Sequence, residues 1–207
     1  MFEKEAYFYK KQPKNMVKTL EKPKLYSVEE YFELENNSDI RHEYYYGKLI
    51  AMPGESKNAN RLARKFERAL YKFLDEKLFE VFRNDVRLVV NKGNIYRYPD
   101  LTVALVADDE DDYVIKMPII LVEILSDSTE KIDFYKKLTE YTAINSAQQY
   151  ILVAQKEVLV SVFRRENDEW KFDVYNKLQD KISLPSIGGT ISLSEIYEGI
   201  ILENTNV

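Results

Sequence analysis

The sequence predicts an α/β domain in which helices flank a central mixed β-sheet, preceded by a short N-terminal arm. Between Ala59 and Leu78, apolar residues recur at helical spacing without a proline or glycine, which is typical of a long amphipathic helix. Pro118–Leu125 reads PIILVEIL, a nearly continuous apolar run expected of a strand that is covered on both faces and central in its sheet. Shorter β-like segments surround these elements, so strands and helices share one domain.

Local signals predict the other elements. Ser27 and Glu30 form a capping-box pattern and predict the start of a short helix, which marks the beginning of the folded domain. Glu43–Met52 surrounds Gly47 and predicts two short strands joined by a tight turn. A third helix is expected over about residues 130–144, followed by an antiparallel meander. The remaining predicted strands are Val86–Val90, Leu101–Val106, Ile151–Ala154, Val158–Phe163 and Trp170–Tyr175.

Composition excludes several functional classes. The chain has 207 residues, 45% of them apolar, which suits one domain with a sizeable core. The absence of cysteine excludes disulfides, thiolate nucleophiles, zinc fingers and iron–sulfur clusters, and the single histidine, His42, excludes a multi-histidine metal site. No apolar run approaches the roughly 20 residues of a membrane helix, and the first residues lack a signal-peptide core. We therefore expect a cytoplasmic protein without membrane contact.

The charge is unevenly distributed. A formal net charge of −5 provides no global positive field for nucleic acid, so DNA contact requires a local basic patch. Residues 1–24 carry seven lysines against three glutamates and are predicted to form a basic N-terminal arm. The composition of this arm suits phosphate contact and equally suits a flexible tail. Residues 25–207 are predicted to form the single folded domain.

A glutamate within the most apolar strand is the most informative residue. Burying the charge of Glu123 is costly unless an ion pair or a metal compensates it. Pro99-Asp100 opens another predicted strand, so Asp100 and Glu123 converge if the two strands are neighbours. Carboxylate ligands with open water positions suit Mg²⁺ or Mn²⁺, which bridge to substrate phosphate. The alternative is an inert ion pair between Glu123 and Lys137, with Asp100 capping a turn.

The long helix carries a stripe of basic residues. Their spacing places most of them on one helix face and predicts contact with nucleic-acid phosphates. An ordinary solvated face opposite the apolar stripe also explains the pattern. The predicted nucleic-acid-binding residues are Arg61, Arg64, Lys65, Arg68 and Lys72.

Six short motifs occur in a defined order along the chain. They are Tyr26–Tyr31 (YSVEEY), Glu43 with Gly47, Pro99-Asp100, Val122–Ser126 (VEILS) with Ser128-Thr129, Asp133 with Lys137 and Tyr141, and Leu193–Tyr197 (LSEIY). In this order the motifs resemble the Uma-type restriction-endonuclease-like proteins of the PD-(D/E)XK nuclease superfamily, over roughly residues 25–200.

The resemblance implies a restriction-endonuclease-like fold and a Mg²⁺-dependent nuclease that hydrolyses DNA phosphodiester bonds. In such a site Asp100 and Glu123, with the Ile124 carbonyl, would hold the metal. Glu43 would complete the catalytic set through a water molecule. A homodimer is a further expectation taken from related nucleases.

The chain departs from the superfamily pattern at the catalytic lysine. The superfamily commonly has a lysine two residues after the second acid, where this sequence has Leu125. The resemblance implies that the lysine has migrated to the following helix, as Lys137, with Lys136 as the fallback. Lys137 would orient the attacking water or help to deprotonate it.

Other functions remain open at this level. A catalytically inactive nuclease-fold protein that binds nucleic acid or a protein partner fits the missing lysine and the acidic charge. A nuclease that acts on RNA or branched nucleic acid would use the same acids, so these substrates are alternatives to DNA. A serine–histidine hydrolase is disfavoured because His42, adjacent to Glu43 in a strand, would point to the opposite face.

Overall fold

The computed structural model describes residues 24–106, 111–126 and 132–203. The predicted arm, apart from Lys24, lies outside these described residues. The helices and strands are α1 (Val28–Asn36), β1 (His42–Tyr45), β2 (Lys48–Ala51), α2 (Lys57–Leu70), β3 (Phe79–Arg83), β4 (Arg87–Val90), β5 (Ile95–Arg97), β6 (Leu101–Leu105), β7 (Val114–Ile115), β8 (Pro118–Leu125), α3 (Leu138–Thr142), β9 (Gln149–Ala154), β10 (Val160–Glu166), β11 (Glu169–Tyr175), β12 (Lys181–Leu184), β13 (Gly189–Ser192) and α4 (Leu193–Tyr197). A π-helix, Ile132–Lys137, leads directly into α3.

The strands form three sheets. The strand order is β11-β10-β9-β8-β6-β3 in the six-stranded sheet, β2-β1-β5-β4-β7 in the five-stranded sheet and β12-β13 in the smallest sheet. The six-stranded sheet is mixed, because β8 and β9 run parallel while the other neighbours run antiparallel. β8 lies between β6 and β9, and all eight of its residues are buried. The predicted central strand and the late antiparallel meander are therefore confirmed.

The local signals near the start of the domain are also confirmed. The Ser27 side chain accepts a hydrogen bond from the Glu30 amide, and the Glu30 side chain accepts one from the Ser27 amide. β1 and β2 pair antiparallel across a two-residue turn. Tyr46 and Gly47 have φ values of 46° and 85°, the left-handed conformation that such a hairpin turn requires.

The long helix is shorter than predicted. α2 ends at Leu70 instead of near Leu78, and the Phe73 amide donates to the Leu70 carbonyl in the turn that follows. Phe73 packs on Gly189, where an added Cβ would lie 2.8 Å from the ring. This tertiary contact overrides the helical periodicity of the sequence. Lys72 consequently lies beyond the helix rather than on its basic face.

Side-chain alternation along β8 divides the core into two layers. Ile124 packs in one hydrophobic cluster with Leu62 of α2. Leu125 packs in another cluster with Tyr141 of α3. Because successive side chains of a strand point to opposite faces, Glu123 points toward the layer of Leu125. The fold therefore places the buried glutamate beneath the helical segment that carries Lys137.

Several short elements had no distinct signal in the sequence. β5, β7, β12, β13 and α4 have between two and five residues, too few for a hydrophobic period to be recognised. The helix expected over residues 130–144 is present within its described part, but its first turn is a π-helix. None of the described helices is long and apolar enough to cross a membrane.

Candidate active site

Two neighbouring strands bring Asp100 and Glu123 together. β6 and β8 pair antiparallel with Leu101 opposite Val122. Asp100 immediately precedes β6, so continuation of this register places it opposite Glu123. The Ile124 amide donates to Asp100 Oδ2 over 2.6 Å, which holds the carboxyl group at this edge. The two acids lie at the same end of two adjacent strands.

Pro99 gives the Ile124 carbonyl a special environment. The same register places Pro99 opposite Ile124, and proline has no amide hydrogen to donate to a strand neighbour. In an antiparallel ladder, the amide and carbonyl of one residue point to the same side. Because the Ile124 amide points to Asp100, its carbonyl also points to that side. Asp100 thus supplies a carboxylate, and the Ile124 carbonyl on the same side receives no hydrogen bond from Pro99.

The ammonium group of Lys137 lies among three carboxylates. Its Nζ is 2.9 Å from Glu123 Oε1, 3.1 Å from Asp133 Oδ1 and 3.5 Å from Glu43 Oε1. The four residues are almost fully buried, with exposed fractions of 6% for Lys137, 4% for Glu123, 1% for Asp133 and 8% for Glu43. Asp133 and Lys137 face the same side because they are four residues apart in the π-helix. The structure therefore joins the predicted lysine to two of the predicted acids.

A second buried cation holds Glu43. Arg97, at the end of β5, donates from Nη1 to Glu43 Oε2 over 2.6 Å. Its Nε and Nη2 donate to the two carboxylate oxygens of Glu140, each over 2.8 Å. Arg97 thereby connects the five-stranded sheet to α3, and it orients Glu43 with its other oxygen toward Lys137. This bidentate contact requires the planar guanidinium of arginine.

The structure adds four residues to which sequence reasoning assigned no role. They are Arg97, Asp133, Glu140 and Tyr141, and Tyr141 donates to Glu123 Oε1 over 3.0 Å. The regular spacing of Asp133, Lys137 and Tyr141 was a visible signal, since it places the three side chains on one helix face. Arg97 and Glu140 gave no comparable signal, because their relation to Glu43 depends on the packing of distant segments.

Burial shifts the pKa values of the central groups. Burial raises the pKa of Glu123 well above its ordinary value, although the Lys137 ammonium opposes this shift. Burial alone would lower the pKa of Lys137, but the carboxylates of Glu123, Glu43 and Asp133 together raise it. Loss of solvent raises the pKa of Asp100 to about 6, against the Ile124 hydrogen bond and the Lys137 charge that lower it. Lys137 is consequently an ammonium ion at neutral pH.

The donor set is chemically suited to a hard divalent cation. Asp100 Oδ2 accepts from Ile124, and Glu123 Oε1 accepts from Lys137 and Tyr141. The second oxygen of each carboxyl group accepts no hydrogen bond from the described part of the chain. Together with the Ile124 carbonyl, these are oxygen ligands of the kind that Mg²⁺ prefers. Within residues 24–106, 111–126 and 132–203, no group of three or more acidic or histidine side chains has the arrangement of a metal site.

The structure separates the predicted basic stripe into two parts. Arg61 and Arg64 line an open groove of about 490 Å³ that begins at Glu55. The charge of Glu55 contributes to the raised pKa of Asp100, so this groove starts close to the acids. By contrast, Lys65 forms an ion pair of 3.2 Å with Glu198, and Lys72 pairs with Glu195. Arg68 lies with these pairs in a second groove, so of the five predicted residues only Arg61 and Arg64 share the groove of Glu55.

Two other residues lie outside the carboxylate cluster. The His42 ring lies 3.1 Å from Glu35 of α1, and the His42 amide donates to the same carboxylate. Lys136 lies over the Tyr45 ring at 3.2 Å from its centroid, and it makes no described ion pair with Asp100 or Glu123. Of the two lysines considered from the sequence, Lys137 is the one that contacts the acids.

The raised pKa of Asp100 predicts a pH-dependent stability. Between its ordinary pKa of 3.8 and its folded pKa of about 6, the folded protein binds more protons than the unfolded chain. The contribution of Asp100 to the free energy of unfolding therefore increases as the pH falls through this window. We expect Asp100→Asn to be more stable than wild type at pH 7 in chelator, with a difference that shrinks toward pH 4.

Urea unfolding of both proteins across pH 4–7 measures this difference. Asp39→Asn, a change of the same chemical kind at an exposed aspartate, provides the control and should not reproduce the pH-dependent difference. A wild-type and Asp100→Asn pair with parallel pH profiles would contradict the assignment of a raised pKa to Asp100.

The fold and the sequence have counterparts among known proteins. A putative nuclease of the family DUF820 from Anabaena variabilis has a crystal structure that matches 86% of this chain and 100% of its own, with a TM-score of 0.68 and 18% identity. This likeness shows that the chain has a restriction-endonuclease-like fold. Residues 28–194 match the Uma2 family model, which is described as a putative restriction endonuclease. The chain belongs to the Uma2 family.

Two relatives from Synechocystis sp. extend the comparison. The first, an uncharacterized protein, is 31% identical over 180 residues, which cover 86% of this chain and 94% of the relative. The second, also uncharacterized, is 28% identical over 151 residues, which cover 71% of this chain and 85% of the relative. The similarity therefore includes most of the domain that contains the carboxylate cluster.

Proposed function

We propose that this protein is a Mg²⁺-dependent nuclease that hydrolyses DNA phosphodiester bonds, with Mn²⁺ as a substitute metal. The observation that carries the proposal is an unbalanced, largely buried charge cluster. Among the described residues, its five carboxyl groups belong to Glu43, Asp100, Glu123, Asp133 and Glu140, whereas the two cations that contact these groups are Arg97 and Lys137. A divalent cation between Asp100 and Glu123 would offset this excess of negative charge. Membership in a family described as putative restriction endonucleases supports the same reaction class.

The residues of the cluster would have different roles in the reaction. Asp100, Glu123 and the Ile124 carbonyl would hold Mg²⁺, which when bound lowers the pKa of water and offsets charge on the scissile phosphate. Tyr141 fixes Glu123 Oε1 and so leaves the other oxygen for a ligand. Lys137 remains protonated at neutral pH, which favours a role in orienting the attacking water and donating to the developing negative charge.

Arg97 and Glu140 act as positioning residues in this proposal. They hold Glu43 against Lys137. The ammonium group is thus fixed between Glu43 of β1, Glu123 of β8 and Asp133 of its own helical segment. Arg61 and Arg64 would guide the DNA backbone, because they share a groove with Glu55, whose charge acts on Asp100. We also propose a homodimer, as expected from the sequence resemblance.

Incubation with nucleic acids and metal tests the function. Folded protein is mixed with single-stranded, duplex and branched DNA and with RNA, in Mg²⁺, in Mn²⁺ or in chelator. We expect DNA cleavage in either metal and none in chelator, together with calorimetric binding of Mg²⁺ in the absence of DNA. A folded protein that binds no Mg²⁺ and cuts none of the four substrates would contradict the proposal.

The second candidate is a catalytically inactive nuclease fold that binds nucleic acid or a protein partner. The observation that favours it is the saturation of Lys137, whose ammonium group already contacts three carboxylates. Such a buried ion-pair network also serves as a purely structural element. Binding of DNA without metal-dependent cleavage would favour this candidate.

A further inference from the structure

One edge of the six-stranded sheet is a long strand with exposed apolar side chains. β11 has seven residues, EWKFDVY, without proline or glycine, and it pairs with β10 along its whole length. Its opposite edge pairs with no strand of the described chain. Phe172 and Val174 are 51% and 50% exposed on one face of this strand. An extended edge with unpaired backbone groups and apolar side chains is a template for another strand.

The exposed apolar face of β11 extends a row of aromatic rings that begins in the core. The Phe172 ring stacks on Phe163 of β10 with 4.6 Å between the ring centroids. Phe163 in turn stacks on the fully buried Tyr150 of β9, at 6.2 Å. The aromatic row thus runs from the core to the free edge and ends there in solvent. A strand added at this edge would extend the row and cover Phe172.

The sequence of β11 is complementary to itself in one antiparallel register. A two-fold axis at Phe172 places Phe172 opposite its own copy, with Trp170 opposite Val174 on the same face. On the other face, Lys171 lies opposite Asp173. Apolar residues therefore meet apolar residues, and a cation meets a carboxylate at each of the two symmetry-related positions. Such cross-strand pairs stabilise antiparallel sheets.

The neighbouring registers are less favourable. A shift of the axis to Lys171 places two lysines opposite each other, and a shift to Asp173 places two aspartates opposite each other, which is destabilising. An axis between two residues would place the apolar face of one strand on the polar face of the other. Among these registers, charge and face pattern together favour the one at Phe172.

We propose that β11 is the homodimer interface, where two copies of the chain join their six-stranded sheets edge to edge around Phe172. The occupant of this edge is a second copy because charge complementarity is satisfied by the strand's own sequence. This inference specifies the surface of the homodimer proposed above. It does not depend on nuclease activity, because association is measured directly.

Single cysteines test the register, because the natural chain contains none. Phe172→Cys places two thiols at directly opposed positions, within the Cα separation of about 4.4–6.8 Å that a disulfide requires. Val174→Cys is the matched control, since Val174 is equally exposed on the same strand. In the proposed register its two copies are separated by four positions, about 13 Å, which is too far for a disulfide.

We expect wild type to be a dimer by light scattering after gel filtration. Under mild oxidation we expect Phe172→Cys to form a covalent dimer at least about tenfold faster than Val174→Cys, given the distance limit for a disulfide. Lys171→Glu, which keeps the apolar residues, should shift the protein toward monomer by setting two acidic groups opposite each other.

Three results would overturn this interface: monomeric wild type at every concentration, equal or faster cross-linking at position 174, or unchanged association of Lys171→Glu. Circular dichroism of each variant verifies that the sheet is intact. Dimerisation through β11 by a protein that binds no Mg²⁺ and cuts none of the four nucleic-acid substrates would contradict the proposed nuclease activity and leave the interface standing.

Discussion

Replacing Glu123 with glutamine is expected to lower metal-dependent DNA cleavage at least about hundredfold, the scale seen when one electrostatic group of an active site is removed. Glutamine has the same length as glutamate, and its oxygen can still accept from Tyr141. The variant therefore retains the packing of β8 while losing the negative charge next to Asp100. Cleavage rates in Mg²⁺ and calorimetric Mg²⁺ binding measure the two consequences.

The matched control for this substitution is Glu166→Gln. Glu166 is the last residue of β10 and pairs with Arg164, and no described contact joins it to the carboxylate cluster. We expect this control to retain wild-type cleavage and Mg²⁺ binding. A Glu123→Gln protein that cuts DNA at the wild-type rate would show that the cluster is not the catalytic site.

Replacing Lys137 with methionine is expected to lower the free energy of unfolding by about 3–5 kcal/mol at pH 7, the usual cost of leaving buried charges without their partner. Glu123, Asp133 and Glu43 would then face one another without the ammonium group. The loss should diminish as the pH falls toward 5. Burial raises the pKa of Glu123, so its carboxylate takes up a proton at a higher pH in the folded state.

The neighbouring lysine provides the control for this experiment. Lys136→Met removes the same charge from the same helical segment but affects a cation–π contact with Tyr45, which is worth about 0.5–1 kcal/mol near the surface. Urea unfolding at several pH values compares the two variants, and cleavage assays compare their activities. A larger loss of stability and activity in Lys136→Met would reverse the assignment of the two lysines.

Sequence patterns were most informative where the signal is local. The apolar run of β8 identified a central strand, and Glu123 was conspicuous because a charge within such a run needs compensation. The capping box at Ser27 and the turn at Gly47 also depend only on nearby residues. Such features involve backbone geometry over a few positions, so the sequence contains all the necessary information.

Patterns failed where distant contacts decide the outcome. The helical periodicity after Leu70 continues, yet Phe73 leaves the helix to pack on Gly189. The basic stripe looked uniform, yet α4 pairs with Lys65 and Lys72 and leaves Arg61 and Arg64 in a separate groove. In each case a segment more than 100 positions away along the chain determines the environment of these side chains.

By itself the sequence determined the class of the fold, the central buried strand and the acids that this strand and its neighbour supply. The resemblance to the nuclease superfamily also limited the candidates for a catalytic lysine to Lys137 and, as the fallback, Lys136. Only the tertiary structure decided that Lys137 contacts Glu123, and that Arg97 joins Glu43 to Glu140 across 54 and 43 positions of the chain. The physical reason is that burial and hydrogen bonding of a charged group depend on which strands and helices become neighbours, whereas local sequence specifies only how each segment folds.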